Sequence, residues 1–443
     1  MKPPTSKAPE TNNAAHGRTR QRSQRALLVH MRLPGGPEDS AVDELKLLTE
    51  SAGARVCGTI LGRRERPDAA IFVGKGKAQE IHEAVAREHA DLVVVNHALS
   101  PAQERNLEKV VSCRVLDRTG LILDIFAQRA RSHEGKLQVE LAQLEHLSTR
   151  LVRGWTHLER QKGGIGLRGP GETQLEVDRR QIRERIKKLN QRLDQLATQR
   201  RSRRRARDKV PIPTVSFVGY TNAGKSSLFN RITGASVYAA DQLFATLDPT
   251  MRRVELPGKA PVVLADTVGF ISHLPHDLVE AFKSTLEEVA EADILLHVID
   301  SNNPEKGEQQ EEVDRVLSEI GAAEVPQVLV YNKIDLTGQA PRLERDAAGR
   351  VTKVWVSAQT GAGVDLLIEA VAEQYRLDRM HVALALPGAA ARLRAVIHER
   401  FQVSGERALE SGGWELVVAL SPGQWAWLKQ QPGFDDAYVR HDS

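Results

Sequence analysis

Cysteine, aromatic residues and long apolar runs are all scarce in this chain of 443 residues. The two cysteines, Cys57 and Cys113, lie far apart, and neither belongs to a Cys-x-x-Cys pair. This argues against a disulfide framework or a cysteine zinc site and predicts inert buried thiols in a reducing cytoplasm. No apolar run approaches the roughly 20 residues that a membrane-spanning helix needs, so we expect no stable membrane insertion.

The length of the chain indicates the number of domains, and the N-terminal composition indicates the nature of the first segment. The chain is long enough for about three domains, and a hydrophobic content of 41% is sufficient for real cores. Residues 1–25 are rich in Pro, Ser, Thr, Asn and Arg and lack the apolar stretch of a secretory signal. They are predicted to form a disordered basic tail. The sequence therefore predicts a cytoplasmic protein, for which peripheral membrane association remains open.

Charge is distributed unevenly along the chain. The net charge is only +4, but residues 150–209 contain 19 Lys and Arg against 7 Asp and Glu, a local +12, so the remainder carries −8. A basic segment on a mildly acidic body indicates a polyanionic partner that is contacted through that segment. A solvated helix face accounts for part of the excess.

Residues 26–130 are predicted to form an α/β domain, because short apolar strands alternate there with helical patterns. The expected elements are, in chain order, strand 26–33, helix 39–52, strands 55–61 and 69–73, helix 77–89, strand 92–96, helix 101–110 and strand 113–116. The segment Gly74-Lys75-Gly76-Lys77 resembles a nucleotide loop at first sight. Its spacing matches neither Gly-rich fingerprint, which favours a basic strand-to-helix turn over a second phosphate site.

Residues 131–208 are predicted to form a basic helical hairpin. Two apolar stripes at helical spacing support this prediction, and their members are Leu137, Leu141, Leu144, Leu151, Trp155, Leu158, Ile182, Ile186, Leu189, Leu193 and Leu196. The loop between the stripes, 163–172, is long and Gly-rich for a turn between helices. Either it is a disordered tip, or it is a probe that folds against a surface, with Arg168 available for phosphate contact.

A Gly-rich loop lies between an apolar strand at 214–218 and a helix beginning near Ser226, which is the phosphate-binding loop pattern. Its residues are Gly219, Tyr220, Thr221, Asn222, Ala223, Gly224, Lys225 and Ser226. Gly219 and Gly224 let the backbone curl so that successive N–H groups face phosphate oxygens, beside the positive end of the helix. Lys225 is predicted to reach the outer phosphates, and the Ser226 hydroxyl to bind Mg²⁺.

Two downstream segments are predicted to complete the phosphate and metal site. They consist of Phe244, Ala245, Thr246, Leu247 and Asp248, and of Asp266, Thr267, Val268 and Gly269. Thr246 suits a switch whose hydroxyl joins the Mg²⁺ shell only when a γ-phosphate is present, and it is preferred to Thr250. Asp266, after the apolar strand 262–265, is expected to hold Mg²⁺ indirectly, and the Gly269 amide is expected to sense the γ-phosphate.

Two further motifs follow predicted strands, and we assign them to binding of the nucleotide base. They consist of Asn332, Lys333, Ile334 and Asp335, and of Ser357, Ala358 and Gln359. A carboxylate at Asp335 can accept from N1–H and from the 2-amino group of guanine, and adenine offers neither donor. Asn332 is expected to brace the loop, the Lys333 stem to cover the base, and the Ala358 amide to meet O6. Residues 211–375 are therefore predicted to be a guanine-nucleotide-binding domain, because all these motifs lie at strand ends.

Catalysis is assigned to Lys225, Thr246 and Gly269, but one expected residue is absent from the sequence. Many GTPases keep a Gln after the Asp-x-x-Gly motif to orient the attacking water, and here that residue is Phe270. We therefore expect slow intrinsic turnover that a partner or an ion completes. Asn222 resembles the asparagine of potassium-stimulated GTPases, in which a monovalent cation stands where an arginine finger would. A loop-capping role for Asn222 remains open.

These motifs together resemble the HflX-type GTPases of the translation-factor class. The segments that carry the resemblance are 163–172, 219–226, 241–248, 266–270 and 332–335, and it extends over about residues 27–375. It implies binding to the large ribosomal subunit, with the hairpin tip directed toward ribosomal RNA near the peptidyl-transferase centre. It also implies dissociation of stalled or idle ribosomes and stimulation of GTP hydrolysis by the ribosome.

The expected fold class is α/β. It comprises an N-terminal α/β domain with a helical hairpin, a GTPase domain whose mostly parallel sheet has helices on both faces, and a small α+β appendage at 380–443 with no assigned role. The expected partners are GTP and the large ribosomal subunit with its RNA, with no DNA and a monomeric state. Two other interpretations remain open. One is a nucleotide-gated RNA-binding module without significant turnover, and the other is a GTPase that regulates a non-ribosomal protein or membrane partner.

Overall fold

The computed structural model describes residues 23–34, 40–152, 170–207, 212–235, 242–257, 260–272, 283–377, 380–409, 412–420 and 422–440. Within these ranges the chain is an α/β protein with three sheets, which confirms the predicted fold class. Most of the predicted tail, the hairpin tip at 153–169 and Asp241 lie outside the described residues. Trp155, Leu158 and Arg168 therefore lie outside them as well.

The N-terminal sheet is parallel, with the strand order β2-β1-β3-β4. Its elements are β1 (Arg25–Arg32), α1 (Ser40–Ser51), β2 (Arg55–Arg63), α2 (Lys75–Glu88), β3 (Leu92–Val95), α3 (Pro101–Val111), β4 (Arg114–Asp117) and α4 (Arg118–Arg129). Both faces are covered, which explains why β1 is apolar along its length. Leu28 packs with α1 and α4 on one face, and Leu27 and Val29 pack with α2 and α3 on the other.

The strand predicted at 69–73 is wrong, because these residues form a turn. The Asp68 carboxylate accepts hydrogen bonds from the amides of Ala70 and Ile71, at 2.8 and 3.0 Å. The backbone groups of Asp68 and Phe72 bond to each other in both directions. Ile71, Phe72 and Val73 are buried in the core beside α2 and α3, so this apolar run reflects burial without strand pairing.

Helix α4 (Arg118–Arg129) was not among the predicted elements. The Asp117 carboxylate accepts from the Gly120 amide at 2.8 Å and begins the helix. Leu121, Ile122, Leu123, Ile125 and Phe126 are all buried, so the apolar residues do not follow a one-sided helical period. The other strands and helices predicted in this region are present, and none of their ends differs from the prediction by more than two residues.

Two helices form the predicted hairpin, α5 (His133–Val152) and α6 (Pro170–Arg207). Leu137 and Leu141 of α5 pack on Leu189 of α6, with further leucines and isoleucines of the two predicted stripes around them. The Arg185 guanidinium of α6 donates to the Glu140 carboxylate of α5 at 2.7 Å. At 38 residues, α6 extends about 57 Å, given a rise of about 1.5 Å per residue.

The central sheet has the strand order β10-β11-β9-β8-β5-β7-β6. It is parallel apart from its two edge strands, β6 and β10. Its strands are β5 (Thr214–Gly219), β6 (Thr250–Leu256), β7 (Ala260–Asp266), β8 (Ile294–Asp300), β9 (Gln327–Asn332), β10 (Arg342–Arg345) and β11 (Val351–Trp355). Its helices are α7 (Lys225–Thr233), α8 (Lys283–Ala290), α9 (Lys306–Glu319), α10 (Ile334–Thr337) and α11 (Val364–Leu377). Helices α7 and α11 cover one face and α8 and α9 the other.

The C-terminal sheet is antiparallel, with the strand order β13-β14-β12-β15. Its elements are β12 (Met380–Pro387), α12 (Ala391–Arg400), β13 (Gln402–Leu409), β14 (Gly413–Leu420), α13 (Pro422–Lys429) and β15 (Val439–Arg440). Leu393 and Ile397 of α12 and Leu428 of α13 pack against it. Among all the described helices, none combines the length and apolarity needed to cross a bilayer.

The N-terminal sheet and the loops of the central sheet share one hydrophobic core. Leu121 and Phe126 of α4 lie in the same buried cluster as Leu243, Phe244 and Ile271. The Phe126 and Phe244 rings meet edge to face, with their centroids 4.6 Å apart. The segment before β6 and the loop after β7 therefore have packed partners outside the central sheet.

Candidate functional site

The predicted site residues gather at one edge of the central sheet. Each motif follows the carboxyl end of a parallel strand, namely β5, β7, β9 or β11. The segment at 244–248 lies between α7 and β6, and its residues Phe244, Ala245 and Thr246 line the same cleft as the loop after β5. This is the arrangement in which open α/β sheets bind ligands.

The loop after β5 requires glycine at two positions. Gly219 has φ 137°, and a Cβ there would lie 2.2 Å from the Val298 carbonyl oxygen. Gly224 has φ 97°, and its Cβ would lie 2.1 Å from the Asn332 side-chain nitrogen. Helix α7 begins directly after Gly224, with no side chain capping its first turn. Its N-terminal amides are therefore available to an anion, which the helix dipole also favours.

Lys225 is buried beneath this loop. Its ammonium donates to the carbonyl oxygens of Gly219 at 3.0 Å and of Tyr220 at 2.8 Å. Burial lowers the pKa of Lys225 to about 8, and the nearby Asp266 carboxylate opposes that shift. A charged ammonium in such a site attracts a phosphate group strongly, because little water screens the interaction.

Three oxygen-bearing side chains converge beside Lys225. The Ser226 and Thr246 hydroxyls donate to the same oxygen of Asp266, at 2.7 and 2.9 Å, and lie 2.8 Å from each other. The other Asp266 oxygen is buried and has no hydrogen-bond partner among the described residues. Burial raises the pKa of Asp266. A hard cation such as Mg²⁺ fits this all-oxygen set, because it would satisfy the carboxylate that burial disfavours.

Gly269 and Phe270 attach the loop after β7 to the phosphate loop. A Cβ at Gly269 would lie 2.8 Å from the Thr221 methyl group and 2.9 Å from the Lys225 ammonium, so only glycine fits there. The Phe270 amide donates to the Gly219 carbonyl at 3.2 Å, and the Phe270 carbonyl accepts from the Thr221 amide at 2.7 Å. The Phe270 ring lies in the core with Leu286, so it offers no polar group to a water molecule.

The residues assigned to the base form a hydrogen-bonded cluster. The Asn332 side chain donates to the Ala223 carbonyl at 2.8 Å and accepts from the Ala358 amide at 2.9 Å. It therefore links the phosphate loop to the loop after β11. The Ser357 hydroxyl donates to the Asp335 carboxylate at 2.6 Å, which fixes that carboxylate in the short helix α10 after β9.

The remaining residues of the motifs at 332–335 and 357–359 make other contacts. Lys333 has a left-handed φ of 65°, and its ammonium pairs with Asp300 at 2.8 Å. Ile334 is buried. The Arg231 guanidinium of α7 donates to the carbonyls of Ala358 and Gln359.

Several predicted nucleotide-binding residues direct their side chains elsewhere. Leu247 and Val268 are buried in the shared core, together with Phe244. The Tyr220 hydroxyl bonds the Glu44 carboxylate of α1. Asp248, predicted to belong to the nucleotide-binding segment, directs its carboxylate to the backbone before α5. Of these residues only Phe244 lines the cleft. The side chains of the group attach the loops around the cleft to the N-terminal region.

Sequence reasoning missed the partners of these side chains. The Glu44 carboxylate accepts from Tyr220, from Arg118 and from the Ser272 hydroxyl. Arg118 also donates to the Ser272 carbonyl at 2.8 Å, and the Ser272 amide donates to the Tyr220 hydroxyl at 2.7 Å. Glu44 is 176 positions from Tyr220 and belongs to no local motif, so no pattern in the sequence indicated this contact.

Comparison with known proteins gives family matches along most of the chain. A family model described as 50S ribosome-binding GTPase matches residues 214–333. Models described as GTP-binding GTPase N-terminal and GTP-binding GTPase Middle Region match residues 39–127 and 129–207.

Curated relatives match over nearly their whole length. GTPase HflX of Escherichia coli (strain K12) is 54% identical over 418 residues, which are 94% of this chain and 98% of that protein. GTPase HflX of Magnetococcus marinus is 47% identical over 408 residues, 91% of this chain and 94% of that protein. A GTP-binding protein from Sulfolobus solfataricus in complex with GDP is a similar solved structure, with 25% identity, a TM-score of 0.44, and coverage of 79% of this chain and 98% of that one.

Proposed function

The chain belongs to the HflX family of GTPases, and from this premise we propose that it binds the large ribosomal subunit in its GTP-bound state. In this proposal the bound protein dissociates ribosomes or rescues stalled ones, and hydrolysis releases it. The observation that carries the proposal is the attachment of a basic hairpin to the nucleotide loops. Helix α6 has 13 Lys and Arg against 5 Asp and Glu, which suits ribosomal RNA. Helix α5 packs on α6 and on Leu243 and Leu247 beside the cleft.

The protein is a GTP hydrolase, and its own residues suggest how the work is divided. In our proposal Lys225 and the amides at the start of α7 bind the β- and γ-phosphates, and the Gly269 amide contacts the γ-phosphate. Ser226 and Thr246 would hold Mg²⁺, with Asp266 behind them, and the ion when bound neutralises phosphate charge. Asp335 would select guanine. The Phe270 side chain has no hydrogen-bonding group and cannot orient the attacking water. This supports slow GTP hydrolysis until a partner supplies the group that orients it.

Large ribosomal subunits are expected to raise the single-turnover rate of GTP hydrolysis by about 10²-fold or more. The physical reason is that Lys225 and the oxygen cluster of Ser226, Thr246 and Asp266 lie beside the phosphate loop, whereas the Phe270 side chain has no group that could orient water. The measurement is hydrolysis of bound GTP with and without subunits, paired with co-sedimentation in a non-hydrolysable GTP analogue. Co-sedimentation without stimulation would favour a nucleotide-gated RNA-binding module. A failure to co-sediment would favour a non-ribosomal protein or membrane partner.

Two pairs of charge-reversal substitutions test whether the basic end of α6 contacts the ribosomal subunit. Arg203→Glu with Arg204→Glu alters the basic end of α6, and Arg252→Glu with Arg253→Glu places the same charges on exposed residues of β6. Only the first pair is expected to weaken binding to the subunit and to reduce the dependence of the affinity on salt concentration. The reason is that counterion release depends on how many protein cations contact RNA phosphates. Deleting 163–171 is expected to weaken ribosome function and to leave GTP affinity intact.

Potassium is expected to stimulate intrinsic GTP hydrolysis several-fold relative to sodium, by standing beside the β- and γ-phosphates and adding positive charge. Asn222 is the residue that supports this proposal. It is exposed and has a left-handed φ of 62°. Asn222→Gly keeps that backbone conformation available and removes the carboxamide. It should abolish the potassium effect with little change in GTP affinity. Equal wild-type rates in KCl and NaCl would leave Asn222 with a loop-capping role.

A further inference from the structure

The Asp248 side chain begins the first helix of the hairpin. One carboxylate oxygen accepts from the amides of Arg131 at 2.7 Å and Ser132 at 2.8 Å. The other accepts from the Ser132 hydroxyl at 2.5 Å, which in turn accepts from the Gly135 amide at 2.8 Å. Helix α5 starts at His133. A carboxylate from another part of the chain thus satisfies the amides just before this helix, where negative charge is favoured.

Asp248 lies two residues from the predicted metal ligand Thr246. The Thr246 hydroxyl bonds Asp266 at 2.9 Å, within the oxygen cluster described above. Two residues of extended backbone span at most about 7 Å. Leu247, between them, is buried in the shared core, so the segment has little slack. A shift of Thr246 by a few ångströms must therefore move Asp248 or break its contacts.

Apolar packing supports the same connection. Leu243, Phe244 and Leu247 occupy one buried cluster with Val139 and Ala142 of α5. These two α5 residues lie one and two turns beyond the Asp248 contact. The segment at 243–248 therefore contacts α5 through both a polar cap and a hydrophobic patch.

The position of Gly135 shows that the Asp248 carboxylate lies close against the first turn of α5. A Cβ at Gly135 would lie 2.3 Å from an Asp248 carboxylate oxygen. The Gly135 backbone is not in the left-handed region, so its conformation alone would permit alanine, which stabilises a helix relative to glycine. The space that Asp248 occupies is what requires glycine here.

The far end of α5 is also fixed. The Arg150 guanidinium pairs with the Glu104 carboxylate and, at 3.0 Å, with the buried Asp117 carboxylate. Helix α5 has 20 residues and so extends about 30 Å. It runs from the segment beside the nucleotide cleft toward the hairpin tip.

We propose that Asp248 is a positioning residue that couples the nucleotide site to the hairpin. When Thr246 is drawn toward the γ-phosphate, Asp248 keeps its contacts at the start of α5. When the γ-phosphate is lost, Thr246 withdraws and the cap loosens. Because coupling between two sites is reciprocal, a partner that moves α5 also changes the position of Thr246. The response of Thr246 to the γ-phosphate and the ribosomal end of this coupling both rest on the proposed function.

Hydrogen exchange of the full chain tests the coupling without ribosomes. The amides of residues 134–138 are compared with GDP and with a non-hydrolysable GTP analogue. We expect protection to be about tenfold higher with the analogue in the wild type. In Asp248→Ala and in Gly135→Ala the difference between nucleotides should vanish. Gly307→Ala is the matched control, because Gly307 is also in a first helical turn and a Cβ there meets nothing within 4 Å.

Kinetics give a second readout that a purely structural cap would not change. Asp248→Ala and Gly135→Ala should each lower single-turnover GTP hydrolysis about tenfold and change GDP affinity little, because GDP does not engage Thr246. The double variant should be no slower than either single variant, since both remove one contact. Thermal unfolding checks that each variant is folded.

Three results would overturn the proposal. The first is a rate of GTP hydrolysis in Asp248→Ala equal to that of the wild type. The second is equal hydrogen exchange of the amides of residues 134–138 with both nucleotides in the wild type. The third is an additive loss of hydrolysis rate in the double variant. Absence of ribosome stimulation in the wild type would count against the proposed function alone, because the coupling is measured without ribosomes.

Discussion

Lys225→Ala is expected to lower GTP turnover by roughly 10²- to 10³-fold, the usual effect of removing one donor aimed at developing negative charge. Lys225 is the buried cation beneath the phosphate loop, and its ammonium already lies 2.8 Å from the Tyr220 carbonyl. Alanine would leave the phosphates without this charge in a site with little solvent screening.

Single-turnover hydrolysis and GTP affinity should be measured together for this variant. Lys353→Ala is a suitable control, because Lys353 is a half-buried residue of β11 whose ammonium pairs with Glu344 away from the nucleotide cleft. The control should hydrolyse GTP at the wild-type rate. Turnover in Lys225→Ala within threefold of the wild type would contradict the catalytic role assigned to this ammonium.

Asp335→Asn is expected to weaken GTP binding by about 10⁴-fold, the penalty typical of a site that recognises a ligand by hydrogen bonds and loses the matching acceptor. The carboxylate can accept from both N1–H and the 2-amino group of guanine. An asparagine would present its NH₂ to those donors. Xanthine carries a carbonyl in place of the 2-amino group, so xanthosine triphosphate should bind the variant better than GTP does.

Affinities for GTP, inosine triphosphate, xanthosine triphosphate and ATP would define this change. Inosine lacks only the 2-amino group, so the wild type should bind it less tightly than GTP and far more tightly than ATP. Asp365→Asn, at an exposed position in the first turn of α11, is the control and should retain guanine preference. Retention of that preference in Asp335→Asn would show that another group reads the base.

The central sheet was predictable from sequence because its strands carry strong local signals. The strand at 214–218 is a short, mostly apolar segment that ends in a Gly-rich turn, and the motif at 332–335 likewise follows a strand with alternate residues buried. Parallel strands then place these motifs at one edge without further information. The turn at 69–73 was predicted wrongly, because burial alone produces the same apolar run as a strand.

The contacts between distant parts of the chain were not predictable in this way. Asp248 bonds to residues 116 and 117 positions away, and Glu44 reaches Tyr220 and Ser272 across still longer separations. A single carboxylate in a sequence is compatible with solvent, with an ion pair or with a helix cap. Tertiary packing selects among these, and no periodicity or spacing records that choice.

The shared core has a consequence for how this protein can be divided. Leu243, Phe244, Leu247, Val268 and Ile271 are covered by the N-terminal region. A fragment cut at residue 212 would present all five to water as one contiguous apolar patch, which is an aggregation liability. The nucleotide-binding part is therefore not an exchangeable module, and recombination that separated it from the first 130 residues would yield an insoluble product.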